Sequence, residues 1–305
     1  MRFAFTKCHG SGNDFPLIDA RAIALDDLDW ARVARALADR DGPVGGDGLL
    51  LLVAGDDAHA FGMRMFNSDG SEAETCLNGL RCVARAGFEA LGVDAARVKL
   101  KTSSAQVAQE AALAPGVVTI RTIVGPASTE LKDVGLVGSL SELPSDRAFT
   151  AVAMPNPHLV AFVEVVDEAE LVALGEYCEA GPALIPGRAN VSFVELRGGD
   201  LFVRTFERGV GLTNSCGSAM AASVLAAGLT GRVPMGAEVR VFNKGGLVRG
   251  RAGVDRIVTI SGNATFLYDA DVEIDLATGR VEPPVIHARH EEEASAWNAA
   301  VTALG

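Results

Sequence analysis

Two cysteine-led segments, one in each half of the chain, constrain its fold more than any other feature. They are residues 75–82, TCLNGLRC, and residues 214–219, NSCGSA. In each, small or polar residues follow within three positions of the cysteine and a long apolar run comes next, which is the pattern of a helix N-terminus. Cys76 and Cys216 are 140 residues apart (216 minus 76) in a chain of 305. This spacing predicts a duplicated unit with one cysteine-led helix in each copy.

A thiol at a helix N-terminus is suited to acid–base chemistry. The partial positive charge and the backbone N–H groups of the first turn stabilise a thiolate, so we expect the helix to lower the pKa of the cysteine from its ordinary value of about 8.5. Two such groups facing one cleft could transfer protons on opposite faces of a carbon. The pair therefore favours proton-transfer chemistry.

Composition limits the class of protein. A chain of 305 residues that is 49% hydrophobic can fill two domain cores. A net charge of −12 argues against binding to nucleic acid or to an anionic membrane, since both need clustered Lys and Arg. The N-terminus runs directly into a strand pattern, and no apolar run approaches the roughly 18 residues of a membrane span.

The cysteine and histidine counts predict a reducing environment and no metal site. Five cysteines without paired spacing do not make a disulfide framework, and the five histidines form no zinc signature. We therefore expect a cytoplasmic protein. His287 and His290 are expected to lie in solvent.

Hydrophobic periodicity predicts alternating strands and helices. Strands are predicted at 2–7, 15–18, 49–53 and 61–66, with a glycine-rich loop at 8–14, and helices at 28–39, 167–178 and 220–229. A terminal helix places Trp297, Val301 and Leu304 on one stripe. We expect the first domain to comprise residues 1–123 and 264–305, and the second to comprise residues 124–263.

Several polar residues are ambiguous when taken one at a time. His158 lies in a proline-flanked loop, which holds it rigidly, but a lone histidine is as readily structural. Glu207 and Arg208 are adjacent, so in an extended chain they point to opposite sides, and a surface ion pair is the simpler interpretation. Cys82 and Cys178 are expected to be packing residues inside helices.

Eight short motifs, taken together and in order, resemble the diaminopimelate epimerase family. They are FTKCHGSGNDF (5–15), GGDG (45–48), FNSDGSE (66–72), CLNGLRC (76–82), NPH (156–158), RAN (188–190), ERGVGLT (207–213) and CGS (216–218). The resemblance spans roughly residues 1–268.

The resemblance implies an α/β (α+β) fold of two pseudo-symmetric domains, each a curved mixed sheet wrapped around a central helix, with the active site between them. It implies an isomerase without a cofactor that interconverts the LL and meso forms of a small amino-acid substrate, diaminopimelate. It also implies a homodimer. Cys76 and Cys216 match the two proton-transfer residues, assisted by His158 and Glu207. The implied substrate-binding residues are Asn13, Asn67, Asn190 and Arg208 for the non-reacting end, and the backbone of Asn78, Gly79, Gly217 and Ser218 for the reacting carboxylate.

Three departures from the family pattern leave the substrate open. Leu77 replaces a small residue, Ala219 replaces a glycine, and Gly48 lies where some members carry a glutamine that contacts substrate. The alternatives are a related racemase of another amino acid such as histidine, a Cys–His acyl-transfer hydrolase, and a binding or redox protein that keeps the scaffold. The hydrolase leaves one of the two cysteine motifs unexplained.

Overall fold

Strands outnumber helices in the structure, a computed structural model that describes residues 1–302. Its contacts separate two compact units. Unit 1 is Met1–Thr122 together with the described residues from Ser261 onward, and unit 2 is Ile123–Ile260. Leu304, which was expected on the stripe of the terminal helix, lies outside the described residues.

The elements up to residue 124 are strands and two long helices. In chain order they are β1 (Arg2–Gly10), β2 (Asn13–Asp19), α1 (Asp27–Ala38), β3 (Gly48–Asp56), β4 (His59–Asn67), α2 (Leu77–Leu91), β5 (Ala95–Lys99), β6 (Ser104–Glu110) and β7 (Thr119–Val124).

The remaining elements follow the same alternation. They are α3 (Leu131–Val134), a 3₁₀ helix (Leu140–Glu142), β8 (Phe149–Met154), β9 (Asn156–Val163), α4 (Glu168–Glu179), β10 (Asn190–Arg197), β11 (Asp200–Glu207), β12 (Gly211–Thr213), α5 (Gly217–Leu229), β13 (Glu238–Asn243), β14 (Gly246–Ala252), β15 (Val258–Asn263), β16 (Thr265–Asp275), β17 (Arg280–Val281), β18 (Val285–Arg289) and α6 (Glu291–Thr302).

Strand pairing follows one order in both units. In unit 1, β1 and β2 are antiparallel, β2 and β3 parallel, β3 and β4 antiparallel, β4 and β5 parallel, and β5 and β6 antiparallel. In unit 2 the same alternation runs through β8, β9, β10, β11, β13 and β14. Each unit therefore repeats one mixed-sheet topology, as the spacing of the cysteine-led segments predicts.

Each mixed sheet surrounds one helix. In unit 1, α2 contacts all of the strands from β1 to β6, and in unit 2, α5 contacts β8, β9, β10, β11, β13 and β14. A helix enclosed in this way must be apolar on nearly every side. The sequence of α5, GSAMAASVLAAGL, meets this condition, and its first 11 residues are all buried.

At the N-termini of helices α1 and α4, an aspartate side chain caps the helix. Asp26 accepts a hydrogen bond from the N–H of Asp29 at the start of α1, and Asp167 accepts from Ala169 and Glu170 at the start of α4. These bonds satisfy N–H groups that the first helical turn leaves unpaired. No helix among residues 1–302 is long and apolar enough to cross a membrane.

The structure corrects two of the sequence predictions. The loop expected at 8–14 is only a two-residue turn, because β1 and β2 pair directly up to Gly10 and Asn13, and Ser11 and Gly12 take the positive φ angles of a tight hairpin. His290 is not in open solvent, since its Nε2 lies 2.9 Å from the carboxylate of Asp269 and its ring lies against Phe266. His287 is half exposed, as expected, and pairs with Asp271.

Candidate active site

Cys76 is the N-cap residue of α2, as the sequence predicts. Its backbone is extended, and its Sγ accepts a hydrogen bond from the N–H of Gly79 at 3.4 Å. The side chain is half-buried. The thiol thus lies where the helix N-terminus stabilises negative charge on sulfur.

Two asparagines meet beside this helix N-terminus. Asn78 Nδ2 donates to Asn13 Oδ1 at 2.6 Å, and Asn13 Nδ2 donates to the carboxylate of Asp47 at 3.1 Å. Asp47 also accepts from Arg40 and from the backbone N–H of Asp14. This network holds Asn13 in one rotamer, although Asn13 and Asn78 are far apart in sequence.

Asn67 lies in the same unit, at the end of β4. It faces Gly48 across the β3–β4 pair, and its Nδ2 donates to Ser71 Oγ at 3.0 Å. A Cβ atom on residue 48 would lie 2.3 Å from the carbonyl oxygen of Phe66. Gly48 is therefore required by the close approach of β3 and β4, and a longer side chain would displace the backbone beside Asn67.

Cys216 is the N-cap residue of α5, again as predicted. Its side chain is only 7% exposed, and its Sγ lies 3.5 Å from Ser218 Oγ. The pKa of Cys216 is raised, first by burial and then by the negative charge of Glu207, which also hydrogen-bonds to the thiol. The expected downward shift is wrong for this cysteine, because those two effects outweigh the hydrogen bonds from Ser218 and from the backbone of Ala219.

His158 is completely buried on β9. Its Nε2 lies 3.0 Å from Asn156 Oδ1 and 3.5 Å from Asn190 Nδ2, whereas its Nδ1 has no hydrogen-bond partner among residues 1–302. Burial, with a smaller effect from Arg208, lowers the pKa of His158 to about 3. The imidazole is therefore neutral near pH 7, and a proton on Nε2 shared with Asn156 leaves the Nδ1 lone pair to accept a hydrogen bond.

Asn190 connects His158 to Arg208. Asn190 lies opposite His158 in the parallel β9–β10 pair, and its Oδ1 accepts from the backbone N–H of Arg208 at 2.8 Å. Arg208 Nη1 donates to the carbonyl oxygen of Gly187 at 3.1 Å. A guanidinium has five N–H donors, so this bond leaves others for a carboxylate ligand.

The structure groups the site residues by unit. Unit 1 brings Asn13, Cys76, Asn78 and Gly79 together at the start of α2, with Asn67 at the end of a neighbouring strand. Unit 2 joins His158, Asn190 and Arg208 in one network and places Glu207 against Cys216, with Gly217 and Ser218 in the first turn of α5.

Sequence reasoning missed two residues that hold this arrangement. Asn156 orients His158, and Asp47 orients Asn13. Both belong to motifs already singled out, NPH and GGDG, but a hydrogen bond between distant segments cannot be inferred from the motif itself.

Comparisons with known proteins show which family the chain resembles. The sequence model of the family described as Diaminopimelate epimerase matches residues 5–127 and 150–267. A diaminopimelate epimerase of Clostridium acetobutylicum is 35% identical over 312 aligned residues, covering 96% of this chain and 92% of that protein. One of Listeria innocua is 36% identical, covering 90% of this chain and 89% of that protein.

Solved structures share the fold at lower identity. A predicted epimerase of Pseudomonas aeruginosa matches with a TM-score of 0.67 at 19% identity, covering 90% of this chain and all of that one. A hydroxyproline epimerase of Agrobacterium vitis with bound trans-4-hydroxy-L-proline matches with a TM-score of 0.61 at 14% identity, covering 99% and 98%. The matched sequence model and these relatives show that the chain belongs to the diaminopimelate epimerase family.

Proposed function

We propose that this protein is a cofactor-independent epimerase that interconverts LL- and meso-diaminopimelate by proton transfer between the substrate α-carbon and two cysteines. The observation that carries the proposal is the repeated placement of Cys76 and Cys216. Each caps the central helix of one of two topologically matching units, in a chain of the diaminopimelate epimerase family. One thiolate removes the α-proton, and the other cysteine, as the thiol, delivers a proton to the opposite face.

The difficult step is to stabilise negative charge on the substrate. An amino-acid α-proton is much less acidic than a thiol, so the electron pair left by deprotonation must be delocalised into the carboxylate and stabilised there. The first-turn N–H groups of α2 and α5 are suited to this task, because they are oriented by the helix and carry its positive end. We assign this role to the backbone of Asn78, Gly79, Gly217 and Ser218.

The other site residues have roles in proton control and substrate recognition. Glu207 keeps Cys216 protonated by repelling the thiolate, and neutral His158 offers Nδ1 as an acceptor. Arg208 provides a cation for the carboxylate at the non-reacting end of the substrate. The amides of Asn13, Asn67 and Asn190 are suited to bind the polar groups of that end.

The test is NMR of diaminopimelate incubated with the reduced enzyme in deuterated water without added cofactor. Loss of the α-proton signal together with conversion between the LL and meso forms is the expected result. Replacing Cys76 or Cys216 by alanine, one at a time, should reduce conversion by roughly 100-fold to 10,000-fold, the range for loss of an acid–base group.

Cys178 is the matched control for these substitutions. It is buried inside α4, and burial raises its pKa to about 11. Cys178→Ala should keep wild-type conversion if it folds. Full conversion by either Cys76→Ala or Cys216→Ala would rule out the two-cysteine mechanism.

A second candidate function is racemisation of a different amino acid, such as histidine. It is favoured by Gly48, which lies where some relatives carry a substrate-contacting glutamine, and by Leu77 and Ala219, which are buried in the first turns of α2 and α5. Running a panel of amino acids in the same deuterium-exchange experiment decides between the two. Exchange with another amino acid but not with diaminopimelate would favour this candidate.

The assembly and location are part of the proposal. We infer a cytoplasmic location, because catalysis by two thiols requires a reducing environment and the five cysteines are free thiols. We infer a homodimer from the resemblance to the family alone. Light scattering on the purified protein measures the oligomeric state directly.

A further inference from the structure

Arg81 is a buried cation without a carboxylate partner. It lies in α2, five residues after Cys76, and its side chain is completely buried. Its Nε donates to the carbonyl oxygen of Asn263 at 3.0 Å, its Nη2 to Ser11 Oγ at 2.8 Å, and its Nη1 to the carbonyl oxygen of Leu77 at 3.5 Å. All three acceptors are neutral.

Arg85, the next arginine of α2, shows how a buried arginine is usually paired with carboxylates. Arg85 is also largely buried, but it pairs with the carboxylates of Glu89 and Glu293. Among residues 1–302, no carboxylate lies within 4.0 Å of the Arg81 nitrogens. Burying a charge without a counter-charge is costly, which is why such groups are rare outside functional sites.

The position on the helix adds to this cost. A cation near a helix N-terminus is repelled by the positive end of the helix dipole, and the first turn of α2 contains no acidic residue. Burial lowers the pKa of Arg81 only to about 10, so the guanidinium remains charged at neutral pH. An anion near the first turn would offset both penalties.

The surroundings hold the guanidinium in one place. A Cβ on Gly262 would lie 2.7 Å from Arg81 Cζ, and one on Gly10 would lie 3.1 Å from Nη2. Ser11 is itself held, since its N–H donates to Asn263 Oδ1 at 2.7 Å. Two glycines therefore make room for a cation that hydrogen bonds fix on three sides.

The two thiols nearest to Arg81 along α2 are those of Cys82, one residue after it, and Cys76, five residues before it. Cys82 is completely buried, and its thiol donates to the carbonyl oxygen of Asn78. Cys76 is half-buried at the helix terminus, where its sulfur accepts the N–H of Gly79. Cys76 is thus the group placed to carry the negative charge.

We propose that Arg81 is a positioning residue whose fixed, buried guanidinium is the counter-charge that keeps Cys76 as the thiolate in the enzyme without substrate. The use of a Cys76 thiolate in catalysis rests on the proposed function, but the experiments that test the role of Arg81 do not. Four other titratable groups of unit 1 supply no cation for Cys76. The buried imidazole of His9 is neutral near pH 7 because its pKa is lowered to about 4, and Asp14 is paired with Lys7 and Arg40. Cys8 stays protonated because burial raises its pKa, and Glu74 is exposed.

Unit 2 shows the opposite arrangement. No charged residue occurs in α5, and the residue five positions after Cys216 is Ala221. The charged group beside Cys216 is the Glu207 carboxylate, which raises the pKa of that thiol. The enzyme without substrate therefore holds one base, Cys76, and one acid, Cys216, so it accepts first the substrate form whose α-hydrogen faces Cys76.

The first measurement leaves Arg81 intact. Thiolate absorbance near 240 nm is titrated in Cys216→Ser, which keeps Cys76, and in Cys76→Ser, which keeps Cys216. The expected result is a thiolate already present at pH 7 in Cys216→Ser and absent in Cys76→Ser. An ordinary midpoint near 8.5 for Cys76 would overturn the proposal.

The second measurement removes the charge. In the Cys216→Ser background, the pH dependence of Cys76 alkylation by iodoacetamide is followed by mass spectrometry for Arg81→Met, Arg81→Lys and the matched control Arg97→Met. Arg97 is an exposed arginine on β5, so its variant loses the same charge from unit 1. Arg81→Met should raise the midpoint by at least about one pH unit, a tenfold loss of thiolate, while Arg81→Lys restores part of it and Arg97→Met leaves it unchanged.

Each outcome is informative. A folded Arg81→Met with the same midpoint as Arg97→Met would overturn the proposal. If Arg81→Met does not fold, Arg81→Gln, which also removes the charge but can keep hydrogen bonds to Ser11 and Asn263, takes its place. Neither measurement uses diaminopimelate. A wrong substrate assignment would therefore appear only in the NMR experiment, and a wrong role for Arg81 only in the thiol titrations.

Discussion

The pKa of the Cys216 thiol is raised by burial and by the Glu207 carboxylate. A substitution at Glu207 removes the effect of the carboxylate and leaves the burial. Glu207→Gln keeps the shape of the side chain but removes its negative charge. We expect the pKa of Cys216 to fall, although burial still keeps it raised, so that the small thiolate fraction at pH 7 and the alkylation rate of Cys216 increase about tenfold for each unit of the fall. Peptide-resolved alkylation rates measure this effect.

The control for this substitution is Glu238→Gln, which removes an exposed carboxylate from β13 in the same unit. It should leave the alkylation rate of Cys216 unchanged. An equal acceleration in both variants would mean that net charge, rather than contact with Glu207, controls the thiol.

Two buried histidines predict loss of stability in mild acid. The pKa of His9 is lowered to about 4 and that of His158 to about 3, mainly by burial. Below an unfolded pKa of about 6.5, the unfolded chain binds protons that the folded protein does not, so the free energy of unfolding falls as pH drops from about 6.5 toward these values. Between pH 7 and pH 5 the loss is about 2 kcal/mol per histidine.

Denaturant titrations at pH 7 and pH 5 test this linkage. His158→Gln should lower stability at pH 7 but should lose less stability than the wild type between the two pH values. The half-exposed His287 on β18 provides the control His287→Gln. An unchanged pH dependence in His158→Gln would show that this histidine is not buried in its neutral form.

At the scale of elements, a glycine sets how closely α4 packs on its sheet. A Cβ on Gly175 would lie 2.1 Å from Cγ of Phe206 on β11, whose ring belongs to the buried core cluster of unit 2. We expect Gly175→Ala to lower the free energy of unfolding by about 1–3 kcal/mol, the usual cost of overpacking, even though alanine favours helix.

Gly228→Ala is the matched control. It is also a helical glycine, but its Cβ would meet the sulfur of Met235, part of a flexible side chain that can move. Its effect should stay below about 1 kcal/mol. Chemical denaturation of both variants measures the two losses in the free energy of unfolding. Equal losses would mean that Gly175 is not needed for the close packing of α4 on its sheet.

At the scale of the whole molecule, the C-terminal segment is part of unit 1 rather than an appendage. Trp297 of α6 is 4% exposed and lies 5.8 Å, ring centre to ring centre, from His9, and Glu293 pairs with Arg85. We expect Trp297→Ala to lower the stability of unit 1 by about 3–5 kcal/mol and Trp297→Phe to lower it less.

Hydrogen exchange can localise the effect of Trp297→Ala. Amides of β1 and β2 in unit 1 should exchange faster, whereas those of α5 in unit 2 should keep their protection. Faster exchange only at α6 itself would show that this helix contributes nothing to the rest of the unit.

The sequence by itself determined the features that depend on neighbouring residues. The thiols of Cys76 and Cys216 lie at helix N-termini because the small residues and apolar runs that follow them are local signals, and the same holds for the buried strand at Leu49–Leu52. The family motifs also contain most residues of the two clusters that the proposed function uses.

Only the tertiary structure decided the electrostatic surroundings of those thiols. Burial and the carboxylate of Glu207 raise the pKa of Cys216 against the effect of its helix, and the surroundings that bury Arg81 near Cys76 include Ser11 and Asn263, which are distant in sequence. Electrostatic free energies depend on distance and on exclusion of water, and neither is encoded in the spacing of residues along a chain. The sequence therefore predicts where the two cysteines lie, and the fold determines the burial and the charges around each of them.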